Sequence, residues 1–225
     1  GNVRPEEDSM SVTASMIKEL RGQTGAGILD CRKALQEAEG DMEKAIDWLR
    51  AKGVAKAAKK ASRAATQGLV YSYIHAGGKL GVLLEVNCET DFVARGDDFQ
   101  ELVKGVAMHV AAMSPMWVKR EEVPEDVIAR EKAVFIQQAI EAGKPEAIAE
   151  KMVVGKLNKF YKENCLLEQP FVKDEDVTIL QMQTNFVAKC GENVQIRRFT
   201  RWALGEGLKK REDDFVAEVA SMVQG

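Results

Sequence analysis

The sequence predicts an α+β fold, with an N-terminal three-helix bundle followed by a core of helices packed on antiparallel sheet. Three patterns carry that prediction. Apolar residues recur at helical spacing in three short runs before residue 54. Two β-rich runs meet at Gly77-Gly78, and a later alternating run, Asn193 to Leu204, supplies a strand far along the chain. Parallel βαβ alternation is absent.

Residues 1–11 carry charge, a proline and serines without any period, and read as a flexible solvated tail. Met16, Ile17 and Leu20 then share one helical face, which Gly22 and the run Thr24-Gly25-Ala26-Gly27 break. Ile28, Cys31, Leu35 and Ala38 repeat at three and four, giving a second helix that Gly40 ends. Asp41 is placed to cap a third, whose face is Met42, Ala45, Ile46 and Leu49 and whose stop is Gly53. The bundle therefore spans 12–54. A basic helical linker, 55–68, follows: no acidic residue lies between Trp48 and Leu84, while Arg50, Lys52, Lys56, Lys59, Lys60 and Arg63 crowd an alanine-rich stretch. A solvated connector and a nucleic-acid contact are both open readings of it.

The core, 69–225, divides into halves of about 69–143 and 144–225. Leu69–His75 and Leu80–Asn87 form a hairpin about the glycine turn. Phe99, Leu102, Val103, Val106, Ala107 and Val110 line a strongly amphipathic helix closed by Ser114-Pro115. Pro124 and Pro145 introduce helices over about 125–142 and 146–163. Leu166–Val172 is extended or irregular, and Asp174 to Asp176 cap a further helix reaching about Cys190. After the strand and a turn at Gly205-Glu206-Gly207, Phe215, Val216, Val219, Met222 and Val223 mark a short C-terminal helix.

Composition narrows the function. The 225 residues are 45% hydrophobic and 30% charged with five prolines, which excludes a disordered or collagenous chain. Lys and Arg number 32 against 35 acidic residues, a net charge of −3, so the molecule as a whole is not built to coat nucleic acid. No apolar run reaches the length of about 20 residues that spans a bilayer. The start lacks an initiator Met and has neither a secretory nor a transit-peptide pattern, pointing to a processed precursor or a trimmed start. Cys31, Cys88, Cys165 and Cys190 contain no Cys-x-x-Cys pair and have no His at ligand spacing. Free thiols in a reducing compartment follow, and no metal site is expected.

Catalytic motifs are missing. Gly25-Ala26-Gly27 starts a phosphate-cradle pattern, but Asp30 occupies the third glycine position and no strand precedes it. A tight helix–helix turn that presents Ile28 and Leu29 explains these glycines better. His75 and His109 have no partner resembling a catalytic dyad. The informative segment is Glu85-Val86-Asn87-Cys88-Glu89-Thr90-Asp91-Phe92-Val93-Ala94-Arg95, joining a buried strand to the amphipathic helix. Asp91 and Phe92 either project from this rigid junction as a contact, or act locally as a helix cap and a core plug. Gln183–Lys189 echoes Glu89–Arg95, as coincidence or as duplication.

With these residues in view, the chain resembles the elongation factor Ts family. One motif runs Leu20-Arg21-Gly22-Gln23-Thr24-Gly25-Ala26-Gly27-Ile28-Leu29-Asp30-Cys31-Arg32-Lys33-Ala34-Leu35, and the other is Glu85–Arg95. Likeness continues through Leu166–Lys173, Gly191-Glu192-Asn193 and Arg198-Phe199. The resemblance implies a bundle similar to ubiquitin-associated (UBA) domains and a two-part α+β core. It implies a guanine nucleotide exchange factor for elongation factor Tu, met in GDP-bound and nucleotide-free states, that binds no nucleotide and needs no cofactor. Arg21, Ile28 and Leu29 would touch a helix of the partner's GTP-binding domain, and Asp91 and Phe92 would reach the edge of its nucleotide site. Arg32 stands where the family commonly has Lys. A long helical insertion present in some bacterial members is not evident, so coiled-coil homodimerisation is not implied. The compact layout is closer to cyanobacterial and plastid (chloroplast) members, which favours plastid stroma over bacterial cytoplasm or mitochondrial matrix. Two other classes stand beside this one: an adaptor using the bundle alone, and a ribosome- or RNA-associated protein using residues 50–63.

Overall fold

The computed structural model describes residues 12–24 and 26–208, so the expected N-terminal tail and C-terminal helix lie outside the described residues. Helices α1 (Ala14–Thr24), α2 (Ile28–Glu37) and α3 (Met42–Lys60) bury Leu20, Cys31, Ala34, Leu35, Ala38 and Ala45 around one small core. Gly40, at φ 82°, donates its N–H to the Leu35 carbonyl at 2.9 Å and closes α2, and Asp41 accepts from the Lys44 N–H at 3.0 Å to open α3. Gly22 does not break α1, which runs on to Thr24.

Gly53 does not stop α3 either. The helix continues for seven more residues to Lys60, with Gly53 buried on its inner side. A methyl group at Gly53 would meet only the Cβ of Ala188, at 3.9 Å, so this is where α3 approaches α8 (Ile179–Cys190). One helix thus belongs to the bundle at its start and packs on the core at its end.

The core sheet has the order β1 (Gln67–Ile74), β2 (Leu80–Cys88), β5 (Val194–Ala203), antiparallel throughout. The class is α+β, as the sequence predicts. Gly77 and Gly78, at φ 89° and 69°, turn the hairpin where side chains other than glycine are strained. Val82, Leu84, Val86 and Cys88 point inward from β2 against α5 (Asp97–Met113), whose buried stripe contains every residue expected for it and His109 as well. Phe99 is fully buried and its ring lies 5.8 Å from that of Phe186 on α8. Burial of a side chain of this size contributes about 1.5–3 kcal/mol.

Helices α6 (Glu125–Glu141) and α7 (Glu146–Asn164) form a hairpin, with Ala139, Ala149, Val153 and Leu157 buried. The chain then makes a short 3-10 turn, Leu166–Glu168, and a small sheet of β3 (Pro170–Phe171) and β4 (Asp174–Thr178). Here the structure corrects the sequence reading: Asp174 to Asp176 are strand, not cap. Thr178 caps α8 instead, accepting from the Gln181 N–H at 3.2 Å while Gln181 Oε1 accepts from the Thr178 N–H at 2.8 Å. This reciprocal pair satisfies two backbone donors, which no acid upstream reaches.

Candidate functional site

The segment after β2 leaves the sheet and winds into a single helical turn, α4 (Asp91–Ala94). Thr90 is its N-cap, its hydroxyl accepting the Val93 N–H at 3.3 Å. Asp91 is the first helical residue and pairs with Arg95 one turn on. Phe92 is 88% exposed, the most exposed large apolar side chain among the described residues. The local alternative, with Phe92 plugging the core, is therefore excluded. Phe186, its counterpart in the echoing segment, faces the opposite way, partly buried against the core from inside α8.

Behind this turn lies a cluster that sequence reasoning missed. Glu192 Oε2 accepts the backbone N–H groups of Glu89 and Thr90 at 3.1 and 3.0 Å, and its Oε1 accepts the Thr90 hydroxyl at 2.6 Å. Glu89 in turn accepts the Asn193 N–H at 2.6 Å and pairs with Arg63 at 3.5 Å. The Asn193 amide donates to the carbonyls of Ala61 and Arg63 at 3.4 and 2.7 Å, tying down the end of α3. The only available signal was the run Gly191-Glu192-Asn193, because these partners lie more than 100 residues apart in sequence.

The bundle presents a second patch. Leu29 is 80% exposed and Ile28 55%, so Ile28 leaves the apolar stripe predicted for α2; it is the helix's first residue, ahead of the buried Cys31. Arg21 is exposed at the end of α1 and lines a cleft of about 1060 Å³ between bundle and core that also includes Asp30, Lys104, Phe171 and Lys189. Ile28, Leu29, Asp91 and Phe92 do not line that cleft. The structure thus supplies two separate apolar projections, on α2 and α4.

Other candidate chemistry is spoken for. Asp30 accepts Lys52 and Lys56 at 2.6 and 2.8 Å, and these ammonium groups hold its carboxyl below the usual range. With Arg63 on Glu89 and Arg50 beside Asp47, four of the six basic side chains at 50–63 already have an acid partner. Buried His109 accepts the Val172 N–H on Nδ1 at 3.1 Å, which leaves Nε2–H to donate to Gln169 Oε1 at 3.0 Å. Burial lowers its pKa, so it is a neutral tie between α5 and the β3 segment. Burial pushes the Cys88 and Cys165 thiols up to about 11, far from the reactive thiolate.

A model of the family described as Elongation factor TS matches residues 54–206. Elongation factor Ts of Geobacter sulfurreducens is 59% identical over 94% of this chain and 98% of its own length. The chain belongs to the elongation factor Ts family. Elongation factor Ts of Citrifermentans bemidjiense is 60% identical over 95% of this chain and 99% of its own, and that of Desulforamulus reducens 59% over 95% and 98%. Membership brings the role of a nucleotide exchange factor in translation elongation, with elongation factor Tu as the family's partner. These relatives are bacterial and nearly the same length, so the compact layout does not point to plastids; plastid stroma finds no support in them. Among the described residues no helix is long and apolar enough to cross a membrane.

Proposed function

We propose that this chain speeds GDP release from elongation factor Tu in a bacterial cytoplasm by placing the Asp91-Phe92 turn against the partner's nucleotide and Mg²⁺ site. The exposure of Phe92 carries this reading. Of all large apolar side chains described, Phe92 and Leu29 are the two most exposed, and both fall in the motifs that resemble the family's contact segments. Exposed apolar side chains on rigid turns are what an interface uses as anchors.

The mechanism follows from the partner's chemistry. Backbone amides and Mg²⁺ hold the diphosphate, and Mg²⁺ demands near-ideal octahedral geometry, so a small displacement of its ligands costs affinity. Phe92 enters an apolar pocket as a wedge, and Asp91 disturbs polar contacts beside it. Arg21, Ile28 and Leu29, on the bundle of residues 12–54, supply the anchoring affinity. Linkage makes the effect reciprocal: each tenfold taken from GDP affinity, about 1.4 kcal/mol, is taken by GDP from the exchange factor. The chain itself holds no nucleotide in this scheme and needs no cofactor.

Stopped-flow release of fluorescent GDP from elongation factor Tu, chased with unlabelled GDP, tests the proposal. The expected result is strong acceleration by the unsubstituted chain and a fall of about tenfold or more in its maximal effect with Phe92→Ala, smaller with Asp91→Ala. Acceleration that survives both substitutions contradicts the assigned site.

A further inference from the structure

We infer that Glu192 is a positioning residue for exchange, holding the Asp91-Phe92 turn in its working shape before the partner arrives; the inference rests on the exchange reading above. Helix α4 has only four residues, too few for a helix to persist alone in water. Phe92 is 88% exposed and gains little from contacts of its own, so the anchoring of its neighbours sets its direction. Ala94 is buried in the core, Val93 packs against it and Cys88 Sγ donates to the Thr90 carbonyl at 3.2 Å, while the backbone N–H groups that lead into the turn converge on one carboxylate.

Where the chain leaves β2, the N–H groups of Glu89 and Thr90 both turn to Glu192 Oε2. The Thr90 hydroxyl has a single proton and donates it to Glu192 Oε1 at 2.6 Å, which turns an oxygen lone pair toward the Val93 N–H. Glu192 therefore fixes the entry angle of the turn and orients its cap. Hydrogen bonds to an ionised carboxylate are the stronger kind. The residue is itself held, following Gly191 at φ 81° and preceding Asn193, whose backbone and side chain are bonded to Glu89, Ala61 and Arg63. Because the bundle supplies the docking affinity in the proposed scheme, the ordering cost of a loose turn falls on its insertion, the step after docking, and a turn fixed in advance avoids that cost.

The experiment has two readouts on Glu192→Ala, Thr90→Val and Thr90→Ser. Hydrogen exchange on the free chain follows the Glu89, Thr90 and Val93 amides against those of Leu84 and Val86. GDP release is measured over a full concentration range. In Glu192→Ala the Glu89, Thr90 and Val93 amides, and in Thr90→Val the Val93 amide, should exchange about tenfold faster or more while the sheet amides hold, and in both variants the maximal release rate should fall about tenfold with the half-saturating concentration changed less than about twofold. Thr90→Ser, which keeps the hydroxyl, should retain both. Unchanged turn protection in Glu192→Ala overturns the inference, as does a loss seen only in the half-saturating concentration. If the unsubstituted chain fails to speed release yet Glu192→Ala loses turn protection, the exchange reading falls and the clamp itself stands.

Discussion

Glu85 sits on β2 facing two arginines, with Arg197 Nη1 at 2.8 Å and Arg198 Nε at 2.6 Å. Arg197 first and Arg198 next hold its carboxyl down to about 2, from an ordinary 4.5. Because the folded value lies below the unfolded one, the stability this pairing contributes is fully present above about pH 4.5 and is lost as pH falls toward about 2. Glu85→Gln should therefore be less stable than the unsubstituted chain at neutral pH. In urea titrations that gap should close as pH is lowered through this window; a gap independent of pH contradicts the assignment. Residues were unequally legible. Leu29 and Phe92 were legible through the two motifs that carry the family resemblance, while the residues alone left Phe92 open between a contact and a core plug. Glu192 could not, because its role lies in three donors on a segment about 100 residues away.

Elements read well where one periodic face meets one core. The stripe of α5 is such a case, and so are the strands of the hairpin. The reading failed where tertiary contact overrides a local signal. At Gly53 the sequence suggests a stop, but the packing of α3 against α8 holds the helix through it. A methyl group there meets Ala188 at ordinary contact distance, so Gly53→Ala should stabilise the chain by about 0.5–1 kcal/mol in chemical denaturation through helix propensity. Had Gly53 ended the helix, the same change would bring no such gain. Strand β5 holds a similar lesson: it pairs Val86 with Ile196 but Glu85 with Arg198, leaving Arg197 as an extra, bulged residue. A bulge breaks simple alternation, and here it lets consecutive arginines reach one carboxylate. The β3–β4 hairpin was illegible because its two-residue first strand carries no period.

At the scale of the whole molecule, α3 makes bundle and core one mechanical unit. It begins among Leu20, Leu35 and Ala45 and ends beneath Asn193, whose backbone also binds the Glu89 carboxylate at the base of the Phe92 turn. In the proposed scheme the two projections that this arrangement carries divide the labour of exchange: Leu29 and Ile28 anchor, and Phe92 acts. The most direct test is the concentration dependence of GDP release from elongation factor Tu for the unsubstituted chain, Leu29→Ala and Phe92→Ala. Leu29→Ala should raise the half-saturating concentration by about tenfold with the maximal rate nearly kept, while Phe92→Ala should lower the maximal rate by about tenfold or more. Identical behaviour of the two variants, with both parameters moving together, would contradict it.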